Sequence, residues 1–238
     1  MHHWPPQRAC LVTGTDTEIG KTRMRAGLLH WFAAQGWRSA GLKPVAAGTE
    51  WIDGARVNED VHTLRAASSL PLTHAEVGPY QFDTACAPHI AAQLERRDID
   101  RATILRAAHD LAARADALVV EGVGGFCVPL GPDWDTADLA QELGLPVILV
   151  VGLRLGCTNH ALLSAEAVRA RGLRLIGWIG NSIDRQMPWR DENIAYLRAR
   201  LSRQHGAPCL GVVPWLPLAN AAFVAEHLDD AALRAAFA

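Results

Sequence analysis

The stretch LVTGTDTEIGKT, from Leu11 to Thr22, decides how this 238-residue chain folds. A short apolar run from Arg8 to Val12 predicts a buried strand, and the helical pattern MRAGLLHWFAA begins at Met24, two residues after Thr22. Gly14 and Gly20 lie in the loop between them. A strand, a glycine-containing loop and a helix, in that order, are typical of a phosphate-binding loop. We therefore predict that this loop binds the phosphates of a nucleotide.

The residue types in the loop suit this chemistry. Backbone N–H groups converge on phosphate oxygens, and Gly20 has no Cβ to block their approach. Lys21 supplies a positive charge for the β- and γ-phosphates, and the Thr22 hydroxyl suits a Mg²⁺ ion. Five residues separate Gly14 from Gly20, where the common pattern has one fewer, so Thr15 stands in place of its first glycine. The alternative is a strand that ends in glycine and turns into an ordinary helix.

Composition restricts the class of protein. Half of the residues are hydrophobic and the formal net charge is −2, which excludes a basic nucleic-acid surface and a disordered chain. Residues 1–6 lack the layout of a signal peptide, and the apolar run near them is too short to span a bilayer. The five cysteines form no CxxC pair, so we expect free thiols. The predicted protein is cytoplasmic, without nucleic-acid or membrane partners.

Lysine usage is the most informative feature of the composition. Of the 23 basic residues, only Lys21 and Lys43 are lysines, and the others are arginines. Lys21 occupies the phosphate-loop position, where a compact ammonium fits and a planar guanidinium does not. By the same reasoning Lys43 is a candidate for chemistry, the alternative being a chance surface lysine.

Strands alternate with helices along the whole chain. This rhythm predicts one α/β domain over residues 1–238, with a mainly parallel sheet covered by helices on both faces, of the phosphate-binding-loop NTPase type. We predict a loop at Gly48–Gly54, a helix capped by Asn58, a short edge strand at Tyr80–Phe82 and one terminal helix at Ala222–Phe237.

Two acids and a second helix start complete the predictions from the residues alone. Asp60 lies in the first turn of its helix, where an acid favours the helix dipole whatever other role it has. Glu121 follows the apolar run ALVV, at the strand end where open α/β sheets bind ligands, and suits Mg²⁺ unless it is merely a solvated acid. Gly156–Asn159 open a helix after a strand, which either receives a carboxylate or is an ordinary helix start. The glycines after Glu121 lack the spacing of a dinucleotide fold.

Several separated segments together resemble dethiobiotin synthetase, an ATP-dependent enzyme of biotin biosynthesis. They occur in order over nearly the whole chain: VTGTDTEIGKT (Val12–Thr22), AGLKPVAAG (Ala40–Gly48), EGVGGF and VPL (Glu121–Leu130), LVVGLRLGCTNHALL (Leu149–Leu163), GWIGNS (Gly177–Ser182) and VPWL (Val213–Leu216). In that family CO2 carboxylates 7,8-diaminononanoate to a carbamate, which ATP phosphorylates. The neighbouring amine then closes a ureido ring and releases phosphate.

The resemblance implies a role for each matching segment. Lys43, Lys21 and Thr17 would be catalytic, and Thr22, Asp60 and Glu121 would hold Mg²⁺. Lys43 and Ala47, together with Gly156, Cys157, Thr158 and Asn159, would bind the diamine. ATP would be bound by Glu18, Ile19, Gly20, Lys21, Thr22, Arg23, Asp60, Glu121, Gly122, Val123, Gly124, Asn181, Ser182, Gly211, Val212, Val213 and Pro214. Family members are homodimers, so the resemblance also implies a homodimer.

The chain departs from the family pattern at three places. Ala47 replaces a serine near the substrate, and Leu218 replaces an acid near the nucleotide sugar. An aromatic residue from the partner subunit is not evident around Asn193, although Tyr196 lies one helical turn away.

Three other classes of protein carry similar loops. The main rival is a partitioning or positioning ATPase switch, but such proteins carry an extra lysine at the loop start, where this chain has Thr15 and Asp16. Their basic amphipathic tail is also replaced by an acidic C-terminal segment. A cobyrinate-type amidotransferase would need a glutaminase domain, for which the chain is too short. The pairing of Lys21 with Lys43 argues against a catalytically silent binding protein.

Overall fold

The computed structural model describes Trp4, residues 8–215 and residues 220–238. Its strands, in chain order, are β1 (Arg8–Gly14), β2 (Ser39–Leu42), β3 (Val45–Ala47), β4 (Glu50–Ile52), β5 (Ala55–Val57), β6 (Tyr80–Phe82), β7 (Ala117–Glu121), β8 (Pro129–Gly131), β9 (Trp134–Asp135), β10 (Val147–Leu153), β11 (Leu175–Ser182) and β12 (Cys209–Val213). Six of them form one parallel sheet in the order β2, β7, β1, β10, β11, β12.

Helices cover this sheet on both faces. They are α1 (Lys21–Ala34), α2 (Glu59–Ala67), α3 (His74–Val77), α4 (Pro88–Leu94), α5 (Arg101–Ala112), α6 (Thr136–Leu143), α7 (Cys157–Ala170), α8 (Arg190–His205), α9 (Ala221–Glu226) and α10 (Asp230–Ala236). Every residue of β7 and β10 is buried, which requires cover on both sides of the sheet. The predicted fold class is confirmed. No helix in the part of the chain that the structure describes is long and apolar enough to cross a membrane.

Two local predictions were wrong, and a third was correct. The loop predicted at Gly48–Gly54 is largely an antiparallel hairpin of β4 and β5, whose turn residues Asp53 and Gly54 both have positive φ. The short edge strand predicted at Tyr80–Phe82 is present as β6, and it pairs with β3 in a small parallel sheet separate from the main one. The single terminal helix is broken into α9 and α10, because Leu228 forms a bridge with Gly211 and Asp229 caps a new helix.

The parallel arrangement brings distant segments to one edge. The phosphate loop follows β1, Lys43 follows β2, and Glu121 ends β7, which lies between those two strands. On the other side of β1, strand β11 ends at Ser182 and β12 at Val213. Because the carboxyl ends of parallel strands share one edge, residues separated by more than a hundred positions meet there.

Candidate active site

The loop between β1 and α1 has the backbone of an anion-binding site. Glu18 and Gly20 have left-handed conformations, with φ of 57° and 79°. Gly20 is the N-cap of α1 and provides no side-chain cap, so the first N–H groups of the helix remain available to a ligand. A Cβ on Gly20 would collide with the Asn181 amide nitrogen. Glycine is therefore needed both for the backbone conformation and for the close approach of β11.

Lys21 is held inside the loop. It is 7% exposed, and its Nζ donates a hydrogen bond to the backbone oxygen of Asp16 at 2.5 Å. Burial lowers the pKa of Lys21 to about 8, and the nearby charges of Arg25 and Lys43 act in the same direction. The ammonium therefore lies in a poorly hydrated, positively charged setting, which favours an anionic ligand.

Lys43 lies between two carboxylates. It is 3% exposed, and its Nζ is 3.0 Å from Asp60 Oδ2 and contacts Glu121 Oε1. Asp60 also accepts a hydrogen bond from the Thr22 hydroxyl. Burial by itself raises the pKa of Asp60, but the Lys43 charge and the Thr22 hydrogen bond outweigh it and hold this pKa below its usual range. The four residues that the sequence assigned to Mg²⁺ and to carbamate chemistry thus form one cluster.

The donor set partly fits a divalent cation. Thr22 and Asp60 are adjacent oxygen donors next to the phosphate loop, and Mg²⁺ is commonly held by one or two such groups together with phosphates and waters. Glu121 differs, because one of its oxygens contacts Lys43 and the other contacts Arg25. Among the described residues no group of three or more His, Cys, Asp or Glu side chains is arranged to hold a metal. Thr22 and Asp60 are therefore the better candidates for direct ligands.

An open cleft of about 1200 Å³ adjoins this cluster. The predicted residues that line it are Thr17, Glu18, Gly20, Lys21, Thr22, Arg23, Lys43, Ala47, Asp60, Glu121, Val123, Gly124, Asn181, Ser182, Val213 and Pro214. The sequence therefore identified most of one continuous surface.

Other predicted residues do not line the cleft. Ile19 is buried, and Gly122 lines a smaller, neighbouring cavity. Gly211 packs against the backbone of His227 and Leu228, and neither it nor Val212 is among the lining residues. Gly156–Asn159 begin α7 without a side-chain cap, on the same sheet edge but outside this cleft.

Sequence reasoning missed several contributors. Arg25 is fully buried and pairs with Glu121 behind the cleft. Its signal was present, since a charge four residues after Lys21 falls on the same helical face among apolar neighbours. The segment Ala85–Pro88 also lines the cleft. Trp215 lines the Val213 side, and Arg185 lies 4.3 Å from the centroid of its ring. These contacts depend on tertiary packing.

Comparison with known proteins agrees with this geometry. A family model described as an AAA domain matches residues 8–222. The ATP-dependent dethiobiotin synthetase BioD of Aromatoleum aromaticum is 55% identical over 221 residues, which cover 93% of this chain and 96% of that protein. The protein of the same name from Ralstonia nicotianae is 52% identical over 231 residues, covering 97% and 99%. The chain belongs to the dethiobiotin synthetase family.

The fold of this dethiobiotin synthetase family member also occurs in a protein of known structure. The septum site-determining protein MinD of Pyrococcus horikoshii, complexed with Mg-ADP, superposes with a TM-score of 0.54. It is 16% identical, and the match covers 97% of this chain and 92% of that one. At such identity the likeness concerns the fold alone.

The three departures from the dethiobiotin synthetase pattern lie in different parts of the chain, and of the two within the described residues only one is at the cleft. Ala47, the first of them, lines the cleft. Tyr196 and Trp189 are 50% and 74% exposed at the start of α8, near Asn193. Leu218 lies outside the described residues.

Proposed function

We propose that this chain catalyses ATP-dependent synthesis of dethiobiotin from 7,8-diaminononanoate and CO2, releasing ADP and phosphate. The observation that carries the proposal is the convergence of Lys21 and Lys43 on one cleft, in a chain 55% identical to a dethiobiotin synthetase. The likeness to MinD does not favour the switch-ATPase alternative, because it concerns only the fold.

The proposed reaction has three steps. One amine nitrogen forms a bond to the carbon of CO2 and loses a proton, giving a carbamate. A carbamate oxygen then takes the γ-phosphoryl group from ATP, and ADP leaves. The second amine attacks the carbamoyl carbon, loses a proton and expels phosphate as the ring closes. The second step brings an anion towards an anionic phosphate, so neutralisation of charge and in-line positioning dominate catalysis.

The residues of the cleft meet this need. We assign Glu18–Arg23 to the triphosphate, with Thr17 and Gly124 facing each other at its edge. Lys43 would stabilise the carbamate and the transferring phosphoryl group. Asn181, Ser182 and Val213–Pro214 would frame the adenine.

Mg²⁺ is part of the proposal. It would be held by Thr22 and Asp60 and would neutralise phosphate charge when bound. Glu121 would act mainly by holding Lys43, since both of its oxygens contact cationic side chains.

We further propose a homodimer in the cytoplasm. Leu155, Leu163, Trp189 and Tyr196 are large, at least half exposed, and lie on or beside α7 and α8, which pack together. Because Gly156–Asn159 lie outside their own cleft, we propose that they bind the substrate carboxylate of a second copy. All five cysteines are free, in keeping with a reducing compartment. Sedimentation measures the oligomeric state, and a monomer at catalytic concentrations would contradict the dimer.

The activity is tested with ATP, Mg²⁺, bicarbonate and 7,8-diaminononanoate. We expect phosphate release only when the diamine is present, and dethiobiotin detected by mass spectrometry in equal molar amount. Equal phosphate release without the diamine would instead indicate a switch ATPase.

A further inference from the structure

Arg25 is a buried cation to which the proposed reaction gives no task. It lies in α1, one helical turn after Lys21, and is 0% exposed. It does not line the cleft, so it is not expected to contact ATP or the diamine. Its surroundings nevertheless consist of residues assigned to the chemistry.

The contacts of Arg25 complete a closed network. Its Nη2 donates to the Thr22 hydroxyl at 2.8 Å and pairs with Glu121 Oε2. Thr22 donates to one oxygen of Asp60, and Lys43 joins the other oxygen of Asp60 to Glu121. We call this set of five side chains the Arg25 network: Thr22, Arg25, Lys43, Asp60 and Glu121.

A contribution to folding stability does not explain why a buried arginine occupies position 25. Burial lowers the pKa of Arg25, and its Nε and Nη1 have no hydrogen-bond partner among the described residues. An incompletely paired buried charge is unfavourable, and well-packed apolar residues often replace such groups without loss of stability. The neighbours Met24 and Leu28 in the same helix are buried and apolar.

We infer that Arg25 is a positioning residue for the metal ligand Thr22 and for Lys43. The Thr22 oxygen accepts a hydrogen bond from Arg25 and gives its own proton to Asp60, so its remaining lone pair is fixed in direction. Arg25 also holds the Glu121 carboxylate, whose other oxygen contacts Lys43. The inference rests on the proposed Mg²⁺ site at Thr22 and Asp60.

A positioning role and a simple charge effect predict opposite changes in divalent-cation affinity when Arg25 is removed. If Arg25 acted only as a positive charge near the site, its removal would tighten the binding of a divalent cation. If it orients Thr22, its removal loosens the ligand set and weakens cation binding, as substitution of outer-shell partners of metal ligands usually does.

The test is Mn²⁺ binding to the full-length protein with ADP, measured from the electron paramagnetic resonance signal of free Mn²⁺. We expect Arg25→Met to weaken Mn²⁺ binding ~10-fold or more and Arg25→Lys to recover part of the loss. Arg169→Met removes an exposed arginine of α7 and serves as the matched control, with unchanged binding. Unchanged or tighter binding in Arg25→Met would overturn the inference.

A folding check and steady-state kinetics accompany the Mn²⁺-binding experiment. Thermal melting checks the fold, and Arg25→Gln is judged by the same criterion if the Met variant does not fold. In steady state kcat should fall while KM for the diamine is unchanged; a higher KM at unchanged kcat would also contradict the role. If the wild-type protein binds ADP but shows no Mn²⁺ binding, the proposed metal site itself is wrong. The proposed function is tested separately, by measuring dethiobiotin formation.

Discussion

Asn181, at the end of β11, donates a hydrogen bond from Nδ2 to the backbone oxygen of Ile19 at 2.8 Å. The two residues are 162 positions apart, so the shape of the phosphate loop depends on a strand formed late in the sequence. The same amide lies where a Cβ on Gly20 would be. The Asn181 side chain therefore connects the loop, the start of α1 and the cleft that Asn181 lines.

Replacing Asn181 should weaken nucleotide binding. Asn181→Ala leaves the Ile19 oxygen without its donor and should lower the free energy of unfolding by about 1 kcal/mol. Asn181→Asp should do more harm, because a carboxylate would face a carbonyl oxygen. Urea denaturation and fluorescent ADP binding measure the two effects. An Asp variant that binds ADP as well as the wild type would contradict the assigned contact.

Alanine substitutions at Gly20 and Gly36 distinguish the effect of backbone strain from that of a collision with Asn181. Gly20 and Gly36 have φ of 79° and 82°, but no described residue lies within 4 Å of a Cβ on Gly36. Each change to alanine should destabilise the fold by roughly 1–2 kcal/mol. Only Gly20→Ala should also weaken ADP binding, by more than about tenfold, which corresponds to about 1.4 kcal/mol. Equal ADP affinities in the two variants would argue against the collision with Asn181.

Lys43→Arg tests the geometry of the reacting site. The positive charge remains, but a planar guanidinium does not fit between Asp60 and Glu121 as a compact ammonium does. We expect kcat to fall ~100-fold, the loss seen when one transition-state donor is removed, with nearly unchanged ATP binding. Arg97→Lys, an exposed exchange of the same kind, is the control. Near-normal turnover would remove Lys43 from the mechanism.

Glu76 should make stability depend on acid pH. Hydrogen bonds from the Thr73 backbone and from Arg114 lower the pKa of Glu76 from 4.5 to about 2. The folded state therefore favours the ionised carboxylate, and this contribution is complete above pH 4.5 and is lost as the pH falls towards 2.

The difference in melting temperature between wild type and Glu76→Gln should accordingly be largest near neutral pH and shrink below pH 4.5. Glu192→Gln, an exposed acid in the first turn of α8, is the control, and its difference should stay small throughout. A Glu76→Gln difference that is constant with pH would disprove the assignment.

Local signals explain which parts were predictable from the sequence. The phosphate loop, the Asn58 cap and the buried run before Glu121 depend on neighbouring residues, and the structure has each of them. Asp53–Gly54 was an equally local hairpin signal that went unused. The break in the terminal helix was harder to foresee, because it depends on the bridge between Leu228 and Gly211.

Individual residues of the candidate site could be predicted from the sequence, but the contacts between their side chains could not. Lys21 and Lys43 were conspicuous because lysine is rare in this chain. Arg25 was hidden among 21 arginines, and its importance comes from contact with Glu121, 96 positions away. Such pairing follows from the order of strands in the sheet, which periodicity alone does not specify.

The order in which the sheet is assembled has a consequence for synthesis of the protein. The cleft is lined by residues from Thr17 to Trp215, and the strand that carries Asn181 lies far along the chain. A nascent polypeptide that has only left the ribosome as far as β10 has a loop of the correct composition but lacks the amide that fixes its shape. We therefore expect products truncated before β11 to bind nucleotide poorly and to consume no ATP.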